Sequence, residues 1–350
     1  MQRFVKHIRG GAPGNPIRKS GIILVFLALE ALHAGRYANA FLEIGCGARA
    51  LSLGGAVTSF INDGTAFFWN PAGLSFVNRT QISGMYGPQF GDFQNPLADY
   101  HYIGIALPLV GDAVIAVNWI RLGVDDIPLY PELQGDSYYE RLLNPGLRPS
   151  GAPSGFISDV ENAIFVSFAK KNHIRANLGW MFHRVRMDLP FGVNIKWIRQ
   201  SIGDYQASGI GIDLGAMLRI SLEDLVQTRG LGYLGFGLHL QDVTRSTMTW
   251  NTKHQDSVPV NVIFGTSYDR SFFNQKVRMI LAVDRESRWG GDTRLGAELC
   301  AFNRIFLRIG RAHSQLTGGA GLRVWKFTVD YAFQTHELDA LHRVSCGLSF

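Results

Sequence analysis

At 350 residues, 46% hydrophobic and 18% charged, with 40 glycines, the chain is too apolar to remain disordered. Yet it has no run of about 18 apolar residues that would form a helical membrane span. Residues 1–40 hold six Lys/Arg against one acid, or +5 of the formal +6; the remaining 28 Lys/Arg and 27 Asp/Glu nearly cancel, so charge gives no case for nucleic-acid binding.

The elements follow in chain order. Arg3, Lys6, Arg9, Arg18 and Lys19 precede an apolar stretch over 21–29, and Ala38-Asn39-Ala40 offers a small-x-small site. Residues 1–40 therefore read as an export signal cleaved before Phe41, with Glu30 an irregularity. Three cysteines, Cys46, Cys300 and Cys346, make neither a disulfide framework nor a metal pattern. Glu43-Ile44-Gly45 is a poor lipobox for Cys46.

Residues 41–79 are rich in Gly and Ala. Gly45-x-Gly47-x-x-Ala50, with Asp63 further on, mimics a dinucleotide fingerprint but lacks the preceding strand and βαβ unit, so it reads as tight turns. Phe67-Phe68-Trp69-Asn70-Pro71-Ala72-Gly73-Leu74 then carries Asn-Pro turn chemistry. The segment is expected to fold as a plug inside a barrel or a cap on its periplasmic mouth.

From residue 80 fourteen strand-like segments follow: 80–87, 100–108, 112–121, 160–169, 190–199, 208–220, 231–241, 258–268, 276–285, 292–301, 304–311, 318–325, 327–335 and 342–350. In 208–220, Ile210, Ile212, Leu214, Ala216 and Leu218 share one face, against Gly211, Asp213, Gly215 and Arg219. So many amphipathic strands would overfill one sandwich core; closing them into a barrel removes both edges and turns the apolar faces to lipid. Short connections (109–111, 302–303, 325–326) alternate with longer ones (88–99, 122–159, 242–257, 286–291), as periplasmic turns and extracellular loops do. Residues 170–189 leave a strand, a short helix and a loop all open.

Lys196, Asp213, Arg219, Arg278, Asp284, Asp330 and Arg343 occupy polar strand faces and are expected to point into the lumen. Leu129, Tyr130, Tyr138, Tyr139, Leu142, Leu143, Phe156 and Ile157 make loop 122–159 unusually apolar; with 88–99 and 242–257 it is expected to form a hydrophobic recess. His239, His313, His336 and His342 have no informative spacing, and no hydrolase motif accompanies them. No enzyme activity, cofactor or metal is expected. The last strand places Val344, Cys346 and Leu348 opposite Arg343, Ser345, Gly347 and Ser349 and stops on Phe350, the way outer-membrane barrels end.

These residues carry a resemblance. Gly45-Cys46-Gly47-Ala48-Arg49-Ala50-Leu51-Ser52-Leu53-Gly54-Gly55-Ala56, Asp63 and Trp69-Asn70-Pro71-Ala72-Gly73-Leu74 resemble the start of the PorV/PorQ family, within the FadL-like outer-membrane barrels. Residues 195–205 with 207–209 and 213–215 are similar to its central strand pair, and 329–333, 336–338 and 342–345 to its closing hairpin. Cys46 departs from the family pattern. The resemblance implies an all-β, 14-stranded antiparallel transmembrane barrel over 80–350, with 41–79 as its N-terminal plug or hatch. It implies an integral bacterial outer-membrane protein in contact with lipid. PorV-like use would dock a type IX secretion translocon and the C-terminal signal domains of exported proteins. FadL-like use would pass hydrophobic small molecules passively across the membrane.

Overall fold

A computed structural model describes residues 39–92, 95–147, 151–177, 184–336 and 340–350. The proposed export signal therefore lies almost wholly outside the described residues. Fourteen strands form a closed antiparallel wall: β1 (Gln81–Asp92), β2 (Asn95–Leu109), β3 (Ala113–Leu129), β4 (Gly155–Asn177), β5 (Arg184–Ile202), β6 (Tyr205–Ser221) and β7 (Tyr233–Gln241), then β10 (Asn261–Phe272), β11 (Val277–Glu286), β12 (Thr293–Ala301), β13 (Ile305–Ala312), β14 (Gln315–Val324), β15 (Phe327–Gln334) and β16 (Leu341–Ser349). Between β7 and β10, the short β8 (Thr247–Trp250) and β9 (Gln255–Ser257) form a hairpin on the rim end of β6. Closure is direct, since Gln81 of β1 faces both Ala106 of β2 and Ser349 of β16. Every wall strand thus has two neighbours, and no edge is left to recruit another chain.

Each of the fourteen expected segments corresponds to a wall strand. The alternation works as the pleat requires: along β5, Ile195 and Trp197 are exposed, whereas Asn194, Lys196 and Ile198 are buried. No helix among the described residues is long and apolar enough to cross a membrane.

Two expectations about connections are corrected, and the stretch 170–189, left open by the sequence, is partly described. The 88–99 loop is mostly strand, because β1 runs to Asp92 and β2 starts at Asn95. The 122–159 loop shrinks to 130–154, since β3 continues to Leu129 through a bulge between Val124 and Ile127. Residues 170–177 continue β4 and residues 184–189 belong to β5, while 178–183 lie outside the described residues. Backbone pairing continues there because a two-stranded ladder satisfies its own N–H and C=O groups. The wall is consequently uneven: β4 has 23 residues and β13 only 8.

Residues 39–79 lie within this wall and contain two short helices, α1 (Ala48–Ser52) and α2 (Ala66–Trp69), followed by a 3₁₀ turn at Pro71–Phe76. Phe67 stacks on Tyr102 and meets the Phe165 ring edge-on, at 5.6 and 5.0 Å between centroids. These apolar contacts between the segment and inward-facing barrel residues form the protein's true core.

Candidate functional site

The N-terminal segment packs against the inner face of the wall. Its backbone approaches the wall where the wall has no side chain. A Cβ on Gly310 would stand 2.2 Å from the Leu53 carbonyl carbon, and one on Gly192 2.4 Å from that of Pro71. Glycine is required at both places because backbone cannot yield as a side-chain tip can. Gly45 and Gly47 both have positive φ, the tight-turn conformation expected of them.

Polar anchors add to this seating. Buried Asn70 donates through Nδ2 to the Thr58 carbonyl at 2.8 Å and the Ala216 carbonyl of β6 at 3.2 Å, and Oδ1 accepts from Ala72 N. Pro71 at the first helical position needs no such acceptor. Asp284 accepts from Thr58 N at 2.9 Å, Ser345 Oγ from Ala48 N at 3.2 Å, and the Cys46 carbonyl from Trp69 Nε1 at 2.7 Å. Buried Cys46 sits in this packing, its thiol pKa pushed up by burial and by Asp63.

A chain of alternating charges crosses from segment to wall. Arg49 meets Asp63 at 2.8 Å and Glu298 of β12 at 3.0 Å; Arg308 of β13 meets Glu298 and then Asp330 of β15, each at 2.7 Å. Burial works against the Arg49 charge, but Glu298 and Asp63 outweigh it and lift its pKa above the ordinary value. On the opposite wall Lys196 bridges Asp213 and Asp242 at 2.8 Å each, and Arg288 caps Asp242 at 2.8 Å. Arg219 and Arg278 share Asp269, and Arg343 donates to the Pro88 carbonyl. All seven candidate lumen charges lie on the inner face, most of them in ion pairs. The partners Glu298, Arg308, Asp269 and Asp242 were not singled out from sequence, although Glu298 and Arg308 sit between apolar neighbours on alternating strands.

On the inner side of the segment lies a cavity of about 620 Å³, lined by Arg49, Asp63, Glu298, Arg308 and Asp330 and rimmed by Trp325 and Lys326 of a short turn. Beside the segment's other end the β5–β6 ladder is interrupted. Pairing passes from Asp188 with Arg219 to Phe191 with Ala216, omitting Leu189 and Pro190. Proline has no N–H to give, so the ladder lapses two residues from the glycine on which Pro71 rests.

At the outer end, Tyr130, Tyr138, Tyr139 and Phe156 are each at least 60% exposed. Tyr138 and Tyr139 meet edge-on within a third helix, α3 (Tyr138–Leu143), while Phe156 belongs to β4. These four side chains stand out from the rim and do not wall a recess. Phe350 is half-exposed and fastens the end of the chain by donating to the Thr80 carbonyl at 3.0 Å.

The four candidate histidines do not converge. His239 is buried inside the barrel, and His342 stacks on Tyr331. His313 lies at the rim with Asp292 and with Glu286, the last residue of β11, close enough to hold a divalent cation. That trio was illegible in sequence, because His313 follows Asp292 by 21 residues and meets it only in the fold.

No family model and no curated protein sequence matches the chain. Among solved structures, a deltaS2S3 mutant of the monoaromatic hydrocarbon channel TodX superposes with a TM-score of 0.50 at 11% identity, covering 87% of this chain and 98% of that one. The P. putida toluene transporter TodX gives 0.48 at 11% identity, covering 87% and 99%. The KdgM porin gives 0.32 at 8% identity, covering 77% and 99%. Such low identity speaks to fold alone, and the first superposition carries it. The chain has an all-β, closed fourteen-stranded antiparallel barrel fold similar to that of the TodX channel.

Proposed function

We propose that the protein is an integral outer-membrane barrel that passes hydrophobic small molecules passively, with residues 41–79 as its plug. The observation that carries this reading is the lapse in the β5–β6 ladder at Leu189–Pro190, beside the Asn70-Pro71 end of the plug. A weak place in the wall next to the stopper gives a greasy molecule a route that avoids the charged bore. The exposed apolar side chains of the 130–154 loop offer a collecting surface outside, and the likeness to a hydrocarbon channel agrees with this use. The signal peptide over 1–40 belongs to the same proposal, since such a barrel must be exported.

The test is equilibration of a labelled monoaromatic hydrocarbon into proteoliposomes. Liposomes carrying the protein should fill faster than empty ones, and equal rates would refute transport. One observation favours a second reading, docking of PorV/PorQ type: the same loop leaves Tyr138, Tyr139 and Leu143 uncovered. Recovery of a secretion translocon or C-terminal signal domains on the purified barrel, with no hydrocarbon flux, would establish that reading instead.

A further inference from the structure

The lipid-facing wall over β7 and β10–β14 holds a groove of about 550 Å³ that neither reading above uses. Strand register sorts its outward side chains into two rows. Val283, Leu295 and Arg311 are neighbours in one row, and Leu281, Ala297 and Ile309 in the other. Ala297 contributes only a methyl group between two long side chains, and the adjacent Gly296 and Gly310 add nothing outward. The trough crosses six strands, or roughly 24 Å at the usual strand spacing.

One end of this apolar trough is charged. Arg311 is the last outward-facing residue of β13 at the rim. Arg285 holds the same place on β11, two residues beyond Val283, and donates to Thr293 Oγ1 at 2.8 Å. Their backbones are roughly 12 Å apart, from strand spacing and rise. Neither guanidinium has a carboxylate partner among the described residues, although Asp292 is close by and engaged with His313. Arginine is tolerated on a lipid-facing wall only near the headgroups, so both must lie at headgroup level. There a guanidinium fork matches phosphate oxygens in geometry and charge.

We propose that this groove binds an acyl chain of a phosphorylated outer-leaflet lipid, with Arg311 and Arg285 holding its phosphates. The site is independent of whether the bore transports or docks.

Native mass spectrometry of the full chain in neutral detergent tests it, with lipid A and its dephosphorylated form as probes. Wild type should bind one lipid A, and the dephosphorylated form about a hundredfold more weakly, the scale of two charge-assisted contacts. The double variant R285A/R311A should bind lipid A no better than the dephosphorylated form. Filling the trough with A297F should weaken both lipids. A circular-dichroism spectrum matching wild type would verify that each variant folds. Equal binding of the two lipids by wild type, or unchanged lipid A binding by R285A/R311A, would overturn the proposal. So would an A297F variant that loses a dimer while keeping lipid affinity, since that would assign the groove to a second copy of the chain.

Discussion

Glu298→Gln tests whether the proposed plug is held by charge. Glu298 is buried and accepts from Arg49 Nε and Nη2 at 3.0 and 3.1 Å and from Arg308 Nε at 2.7 Å. Glutamine keeps the volume, so no cavity forms, but two buried guanidiniums lose the carboxylate between them. Removing one partner of a buried ion pair costs about 3–5 kcal/mol. Arg49 retains Asp63 and Asn62, and Arg308 retains Asp330, which places the loss at the lower end, about 3 kcal/mol. That corresponds to about two decades in the equilibrium between seated and released plug. Hydrogen exchange of the α1 amides in nanodiscs should therefore quicken about a hundredfold, with α3 outside the barrel as the unaffected control. Arg49→Met combined with E298Q should cost less than the sum of the single changes, because the two residues share one contact. Exchange that stays within about threefold of wild type would mean that packing alone seats the plug.

Asn70→Ala should destabilise the seated plug by about 2–4 kcal/mol, since it strands the buried Thr58 and Ala216 carbonyls, and a lowered urea midpoint for loss of plug protection would register it. Gly192→Val should push Pro71 off the wall and open a leak, read as increased entry of a bulky polar dye into proteoliposomes. Outside the membrane, the short helix α4 (Leu222–Val226) should respond to acid. The hydrogen bonds and charge of Arg186 hold Asp224 below its ordinary pKa of 3.8, so the stabilisation is present above that value and lost as pH falls through the lower folded pKa. The protection of the α4 amides, relative to their intrinsic exchange rates, should fall only below about pH 4, and Asp224→Asn should abolish the dependence.

Strand number and face were legible because period-2 alternation survives wherever one face meets lipid and the other meets the interior. Ile195, Trp197 and Ile210 are exposed where Asn194, Lys196 and Asp213 are buried. Strand ends were not legible, because outside the bilayer the selective pressure for alternation vanishes while pairing continues. Asp125, Asp126 and Pro128 look like loop residues, yet β3 runs through them. The proposed plug could be placed only coarsely. Its seat depends on Gly192 and Gly310, which leave room for an approaching backbone, and on Gly215, which leaves room for the Asn70 and Pro71 side chains; nothing in a one-dimensional pattern pairs Gly310 with Leu53. Arg285 and Arg311 likewise come together only through register across β12.

The hydrogen bond from Ala48 to Ser345 joins residues 297 positions apart, while Asn70 reaches β6 in the middle of the chain. The first segment thus ties the middle of the cylinder to the strand that closes it, and a cylinder emptied of that segment would leave Ser345 Oγ and the Ala216 carbonyl without these partners. Such an emptied cylinder should be the form most open to proteolysis.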